Sequence, residues 1–213
     1  MAHYPIDHSN VPIRLFKSDF LEFFTHISPV VVVVIWLPVA VGFMVLEVLG
    51  GGYATRGVGY LIGGFLAGAF LWTFAEYTLH RFLFHYQPKD PKWERIFFLF
   101  HGVHHAQPQC KTRLVMPPVV SIPMALVMYG IISLIFSTLL GLPHWVFPVM
   151  SGFIVGYLFY DLTHYATHHF PMRSGIWKYL KRYHMQHHYK TPNARFGVSS
   201  PLWDVVFGTK PAD

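Results

Sequence analysis

Four stretches of this chain are long and apolar enough to cross a lipid bilayer, which takes roughly 20 helical residues. They run at approximately 29–49, 58–79, 118–140 and 144–164. A glycine-rich turn at 50–57 joins the first two, and Gly141, Leu142 and Pro143 join the last two. The expected architecture is all-α and integral to the membrane, with four transmembrane helices in two hairpins. Pro38, Pro123 and Pro148 fall in or near the runs, as membrane helices tolerate. Gly59, Gly63, Gly64 and Gly68 supply small residues for close helix packing in the second span. Composition agrees, with 53% hydrophobic and 12% charged residues, where soluble domains carry about 25% charged.

Basic residues orient the spans. Of the 16 lysines and arginines, only Arg56 sits in a hairpin turn; the rest lie in the N-terminal, central and C-terminal segments. The positive-inside rule then puts both termini and the central segment in the cytosol. Topology thus accounts for the formal charge of +6, and no nucleic-acid partner is expected. No secretory signal is expected in the first 28 residues, which mix polar, charged and aromatic types. The single cysteine, Cys110, excludes an intrachain disulfide and thiolate sites of the finger type.

Histidine is the second anomaly, at 15 residues against 10 acidic ones. Four clusters fall at or beyond the cytosolic ends of the spans: His80 with His85, His101 with His104 and His105, His164 with His168 and His169, and His184 with His187 and His188. Histidines three and four apart share a helix face. His101, His104 and His105 can therefore point at one target, and His184, His187 and His188 likewise. His164 and His168 share a face, while His169 lies round the helix and falls outside the ligand set. His80 and His85, five apart, diverge on a regular helix. Either the helix breaks there or the two serve different metals.

The remaining ten fit two six-coordinate metals, five imidazoles each, with one position open for oxygen chemistry. His3, His8, His26 and His144, each alone, read as interfacial polar residues. Glu76 and Asp161, near the cytosolic span ends, are expected to orient rings and offset charge from a surrounding shell that includes His169; ion pairs with nearby basic residues are the alternative. A redox-active metal such as iron suits oxidation, and zinc does not, although histidine sites bind both.

These residues, with the segments at 16–23 (FKSDFLEF), 72–80 (WTFAEYTLH), 113–118 (RLVMPP), 156–164 (GYLFYDLTH) and 196–209 (FGVSSPLWDVVFGT), resemble the fatty acid hydroxylase superfamily of membrane di-iron enzymes, the fatty acid 2-hydroxylases in particular. The resemblance covers nearly the whole chain and implies a single domain over 1–213, with a cytosolic helical, histidine-rich cap at approximately 80–117 and 165–213. It implies that His80, His85, His101, His104, His105, His164, His168, His184, His187 and His188 are the metal ligands. It further implies an O2-dependent oxidoreductase that places one hydroxyl, in the (R) configuration, at C2 of a long fatty acid or a sphingolipid N-acyl chain.

Many members of that superfamily carry an N-terminal cytochrome b5 domain. The 28 residues before the first span are too few for one, so the electrons are expected from a separate donor such as cytochrome b5 or a ferredoxin-like protein. Arg113, Asn193, Arg195 and Trp203 flank the histidines in the resembling segments and are expected either to meet the substrate head group or to pack the cap. The rival readings are another membrane di-iron oxidase or desaturase acting on a sterol, carotenoid or alkyl chain, and, from another class, a metal transporter. The membrane would be the endoplasmic reticulum in a eukaryote and the inner membrane in a bacterium.

Overall fold

The computed structural model describes residues 6–212, which leaves His3 outside the described residues. Among those described, the chain is helical: α1 (Asp19–Phe23), α2 (Pro29–Leu49), α3 (Gly52–Thr78), α4 (Pro91–Phe97), α5 (Val103–Ala106), α6 (Pro118–Ser133), α7 (Val146–His169), α8 (Gly175–Tyr189) and α9 (Leu202–Val206). Wider π-helical turns continue α3 over Leu79–Phe84, precede α5 over Phe98–Gly102 and continue α6 over Leu134–Leu139. Four of the resulting helices are long and apolar enough to cross a membrane: Pro29–Leu49, Gly52–Phe84, Pro118–Leu139 and Pro143–His169. The chain is a multi-pass membrane protein.

The expected spans are all present, but the second and fourth run about one turn past the ends that hydropathy gives them. Apolar side chains stop where lipid stops, whereas a helical hydrogen-bond ladder continues through polar residues. At the other end of the second span, Gly57 takes a φ of 75° and interrupts α3. Only a residue without Cβ adopts that conformation at little cost, so the regular span begins at 58, as expected.

Contacts sort the chain into two compact units. The first comprises Pro29–Trp72 and Met116–Phe159, the membrane-spanning parts. Here α7 is the most buried helix, because glycines let it touch α3 backbone to backbone. A Cβ on Gly152 would overlap the carbonyl oxygen of Phe65, and one on Gly68 would overlap that of Val149. A Cβ on Gly64 would overlap the Pro148 side chain, whereas Gly59 faces open space. Small-residue packing therefore holds for Gly64 and Gly68 and not for Gly59.

Aromatic pairs complete the bundle: Trp36 of α2 and Trp72 of α3 both pack edge-on against Tyr157 of α7. Trp36 Nε1 donates to Ser121 of α6 at 3.2 Å, so its N–H is satisfied inside an apolar unit, where an orphaned donor is costly. An apolar cavity lies among these helices, lined by Trp36, Trp72, Met124, Met128, Met150 and Tyr157. The turn of the first hairpin is held by Tyr60, whose hydroxyl donates to the buried Glu47 carboxylate at 2.5 Å. Large apolar side chains such as Val30, Val34, Leu126 and Leu139 are exposed along α2, α6 and the turn that continues α6, as lipid-facing surfaces require.

The second unit comprises the segment ending at Ser28 together with Thr73–Val115 and Tyr160–Asp213. Within it the N-terminal segment is tied to the loop after α5. Gln107, buried, donates to Asp7 and to the Val11 carbonyl and accepts from Ile13 N–H. Lys181 of α8 donates to the Thr167 and Phe170 carbonyls at 2.6 and 3.0 Å. That placement satisfies the carbonyls at the C-terminus of α7 with a cation, where the helix dipole favours one.

Candidate metal centre

All ten histidines of the expected ligand set are buried in this second unit. They form two groups of five, each with one ring nitrogen per residue and all such nitrogens within 4.8 Å of one another. His80, His85, His101, His105 and His187 make the first group; His104, His164, His168, His184 and His188 make the second.

The helices dictate this partition, and it differs from the expectation that each three-histidine cluster serves one target. At about 100° per residue, the residue at i+4 lies about 40° from i, and that at i+3 about 60° away on the other side. Accordingly His101 and His105 join the first group while His104 turns to the second. His184 and His188 join the second while His187 turns to the first. His164 and His168, four apart, stay together.

His80 and His85 resolve differently from either option the sequence leaves open. The helix does not break: it widens, and His85 N–H donates to the His80 carbonyl at 3.1 Å, an i to i+5 bond. A π turn brings residues five apart onto one face, so both rings reach the same group.

The donor atoms face inward at metal-like spacing. Nε2–Nε2 separations are 3.0 Å for His80–His101, 3.1 Å for His101–His105 and 3.0 Å for His85–His187 in the first group. In the second they are 2.9 Å for His104–His164, 3.0 Å for His104–His188, 2.9 Å for His168–His184 and 3.0 Å for His184–His188. Imidazoles at right angles on metal–nitrogen bonds of about 2.1 Å stand about 3.0 Å apart. Burial first, and then the neighbouring imidazoles, hold His85, His101, His104, His105, His184, His187 and His188 well below their ordinary value of 6.5. The rings are therefore neutral, with lone pairs free to bind a metal. Ring nitrogens that converge at this spacing can enclose a cation between them. The donor set fits a pair of metal ions.

Around the cage, His80 Nδ1 donates to the Phe196 carbonyl at 2.5 Å and His187 Nδ1 to the Ala194 carbonyl at 2.7 Å. A carbonyl can only accept, so each Nδ1 carries the proton and each Nε2 presents its lone pair. Glu76, buried, accepts from Val198 N–H at 2.6 Å, from Ser199 N–H at 2.8 Å and from the Ser199 hydroxyl. Asp161 is buried one turn before His164. His169 belongs to neither group, and its ring lies against Tyr165, with centroids 4.5 Å apart.

The residues flanking the histidines have protein partners. Arg113 is paired with Glu22 and bonded to the Ile13 carbonyl and His26. Arg195 is buried with its guanidinium 5.3 Å from the centre of the Tyr183 ring. Trp203 Nε1 donates to Thr73 at 2.9 Å, and Asn193 is exposed. Sequence reasoning passed over Asp204, which is wholly buried and bonded to Phe196 and Gly197. Its only signal was a place in the segment at 196–209.

Residues 65–209 match the fatty acid hydroxylase family. The chain is 37% identical to a dihydroceramide fatty acyl 2-hydroxylase, FAH2, of Arabidopsis thaliana, over 98% of this chain and 84% of that one. It is 41% identical to the ceramide very long chain fatty acid hydroxylase scs7 of Schizosaccharomyces pombe, over 91% of this chain and 54% of that one. It is 34% identical to the fatty acid 2-hydroxylase of Homo sapiens, over 98% of this chain and 58% of that one. It thus spans little more than half the length of the last two. A solved structure of full-length scs7p, in which only the hydroxylase domain is visible, superimposes with a TM-score of 0.81 at 35% identity, over 92% of this chain and 72% of that one.

Proposed function

The chain belongs to the fatty acid hydroxylase family, and from that premise we propose that it hydroxylates C2 of long-chain fatty acids or of the N-acyl chains of sphingolipids. One observation carries the reading: two groups of five inward-facing imidazoles, at the spacing of cis metal ligands, in a chain of this family. The ten histidines hold two metal ions, iron in the working enzyme, which supply the activation of O2. The reaction balances as R–CH2–CO–X + O2 + 2 electrons + 2 protons → R–CH(OH)–CO–X + H2O, so an electron donor must deliver two electrons. Both termini and the histidine unit lie in the cytosol, as the placement of basic residues supports, within reach of such a donor.

The chain's own residues bind, orient and exclude water. His80 and His187 are held with Nε2 inward by their bonds to Phe196 and Ala194. The methionine- and tryptophan-lined cavity of the membrane unit suits an acyl tail, which gains about 0.8 kcal/mol per buried methylene.

Wild type and His104→Ala are expressed in cells that lack 2-hydroxylated lipids, with a compatible electron donor, and total acyl chains are analysed by mass spectrometry. New 2-hydroxy acyl species from the wild type alone are expected. Oxygen or unsaturation at another carbon would overturn the C2 assignment and leave the metal reading standing. Product from His104→Ala would remove that residue from the ligand set.

A further inference from the structure

We propose that Asp204 is a positioning residue for one metal of the pair, that of His80, His85, His101, His105 and His187, and acts by clamping the 194–199 loop whose carbonyls orient His80 and His187. The inference rests on the metal reading above and goes beyond it by making the two sites unequal.

The clamp has two jaws. From one side, the Asp204 carboxylate accepts Phe196 N–H at 2.9 Å and Gly197 N–H at 2.7 Å. Phe196 is thus held at both ends of its peptide units, its N–H by Asp204 and its carbonyl by His80. From the other side, Glu76 accepts the next two N–H groups, those of Val198 and Ser199. Four consecutive backbone donors are bound by two buried carboxylates. The fit at Gly197 is close enough to forbid a side chain: a Cβ there would overlap the Ser200 carbonyl and stand 3.0 Å from Asp204 Oδ2. Arg195, between the two ring-orienting carbonyls, takes the left-handed φ of 60°, uncommon for a residue with a side chain. Its N–H is tied to the Thr209 carbonyl at 3.0 Å.

Asp204 is itself held by a directional relay. Thr209 donates its hydroxyl to Asp204 Oδ1 at 2.7 Å. Tyr77 must therefore donate to Thr209 Oγ1, at 3.0 Å, and Arg81 donates to Tyr77 at 2.7 Å. Glu76, Tyr77, His80 and Arg81 occupy adjoining turns of one helical segment. The segment that presents the His80 ring thus also anchors both jaws of the clamp that orients it.

Among the described residues, no bond from the 194–199 loop is seen at the second group, where the Nδ1 atoms of His168 and His184 are buried without a hydrogen-bond partner, as is that of His85 in the first. His80 and His187 are the rings that the clamped loop orients. Loss of an outer contact of this kind costs roughly 10- to 100-fold in metal affinity, and here the cost should fall on one site.

The full chain is purified in detergent as wild type, Asp204→Ala, Asp204→Asn and His168→Ala, stripped with chelator and titrated with cobalt(II). The absorption bands of the bound ion are followed, with circular dichroism as the check on folding. Wild type is expected to bind two ions. Asp204→Ala should bind one as wild type does and the other about 10- to 100-fold more weakly. His168→Ala should retain only the site that Asp204 supports, so that Asp204→Asn added to it weakens the one remaining ion. Should Asp204→Ala fail to fold, Asp204→Asn, equal in shape, decides the matter. Two unchanged sites in a folded Asp204 variant would overturn the proposal and leave the metal reading intact, as would equal weakening of both. A wild type that binds no ion would sink both.

Discussion

An imidazole has two nitrogens, and its use in this cage depends on which carries the proton. A carbonyl at Nδ1 leaves Nε2 with a lone pair, and His80 and His187 have such partners. Charge is handled as specifically at Arg113, which joins the N-terminal segment to the loop after α5 through Glu22, Ile13 and His26. Arg113→Ala should cost about 3 kcal/mol or more by stranding a partly buried carboxylate, read as a fall in melting temperature in detergent.

Burial opposes ionisation of Glu22, but the N–H groups of Phe16 and Leu15 and the charge of Arg113 outweigh it, so its carboxyl titrates below the ordinary 4.5. A carboxyl lowered by folding stabilises above its unfolded value and loses that contribution as pH falls through its folded value. The segment before α2 should therefore resist protease at neutral pH and open below 4.5. Glu22→Gln should already be open at neutral pH. Equal protection of the two proteins at neutral pH would show that the pair does not hold the segment.

Elements carry the geometry that residue identities do not announce. The π turn over Leu79–Phe84 and the fan of each three-histidine cluster decide which ring serves which group. Helix against helix, Gly68→Leu or Gly152→Leu should push α3 off α7 and cost about 1–3 kcal/mol or more through overpacking. Gly59→Leu, in open space, should be neutral or gain up to about 1 kcal/mol from helix propensity. Thermal unfolding of the three variants side by side separates packing from propensity, and equal effects would contradict the contact.

The spans were legible from the length and apolarity of four runs, and most of the histidines from three- and four-residue spacings that a helix turns into a face. His80 and His85 were not, since only the π turn brings them together. The partition between groups was not, since it depends on what stands opposite each fan. Asp204 was legible only as a member of the segment at 196–209: its partners are backbone N–H groups of an irregular loop, which leave no period in the sequence. Arg113 could be singled out, but its bond to Glu22 joins positions 91 apart, beyond what local pattern reveals.

At the scale of the molecule, stability and metal loading are one quantity on this reading. Ions that bind only the folded chain add about 4 kcal/mol at a free concentration of about 1,000 times Kd. Chelator-stripped protein should melt at a lower temperature and recover on titration with ferrous iron or zinc. An unchanged melting temperature would show that the groups hold nothing.

The exchange of His104 and His187 between the groups has a mechanical side. An ion in each group would tie together helices far apart in the chain, the first group reaching from His80 to His187. In a secreted protein that task falls to a disulfide, which over a loop of about 100 residues removes about 4.7 kcal/mol of unfolded-chain entropy. A chain with one cysteine has no such bond to make, and coordination takes its place. The staple is then opened by protons and chelators instead of reductants. The durability of this protein should follow the acidity and metal supply of its surroundings, and be indifferent to their thiol balance.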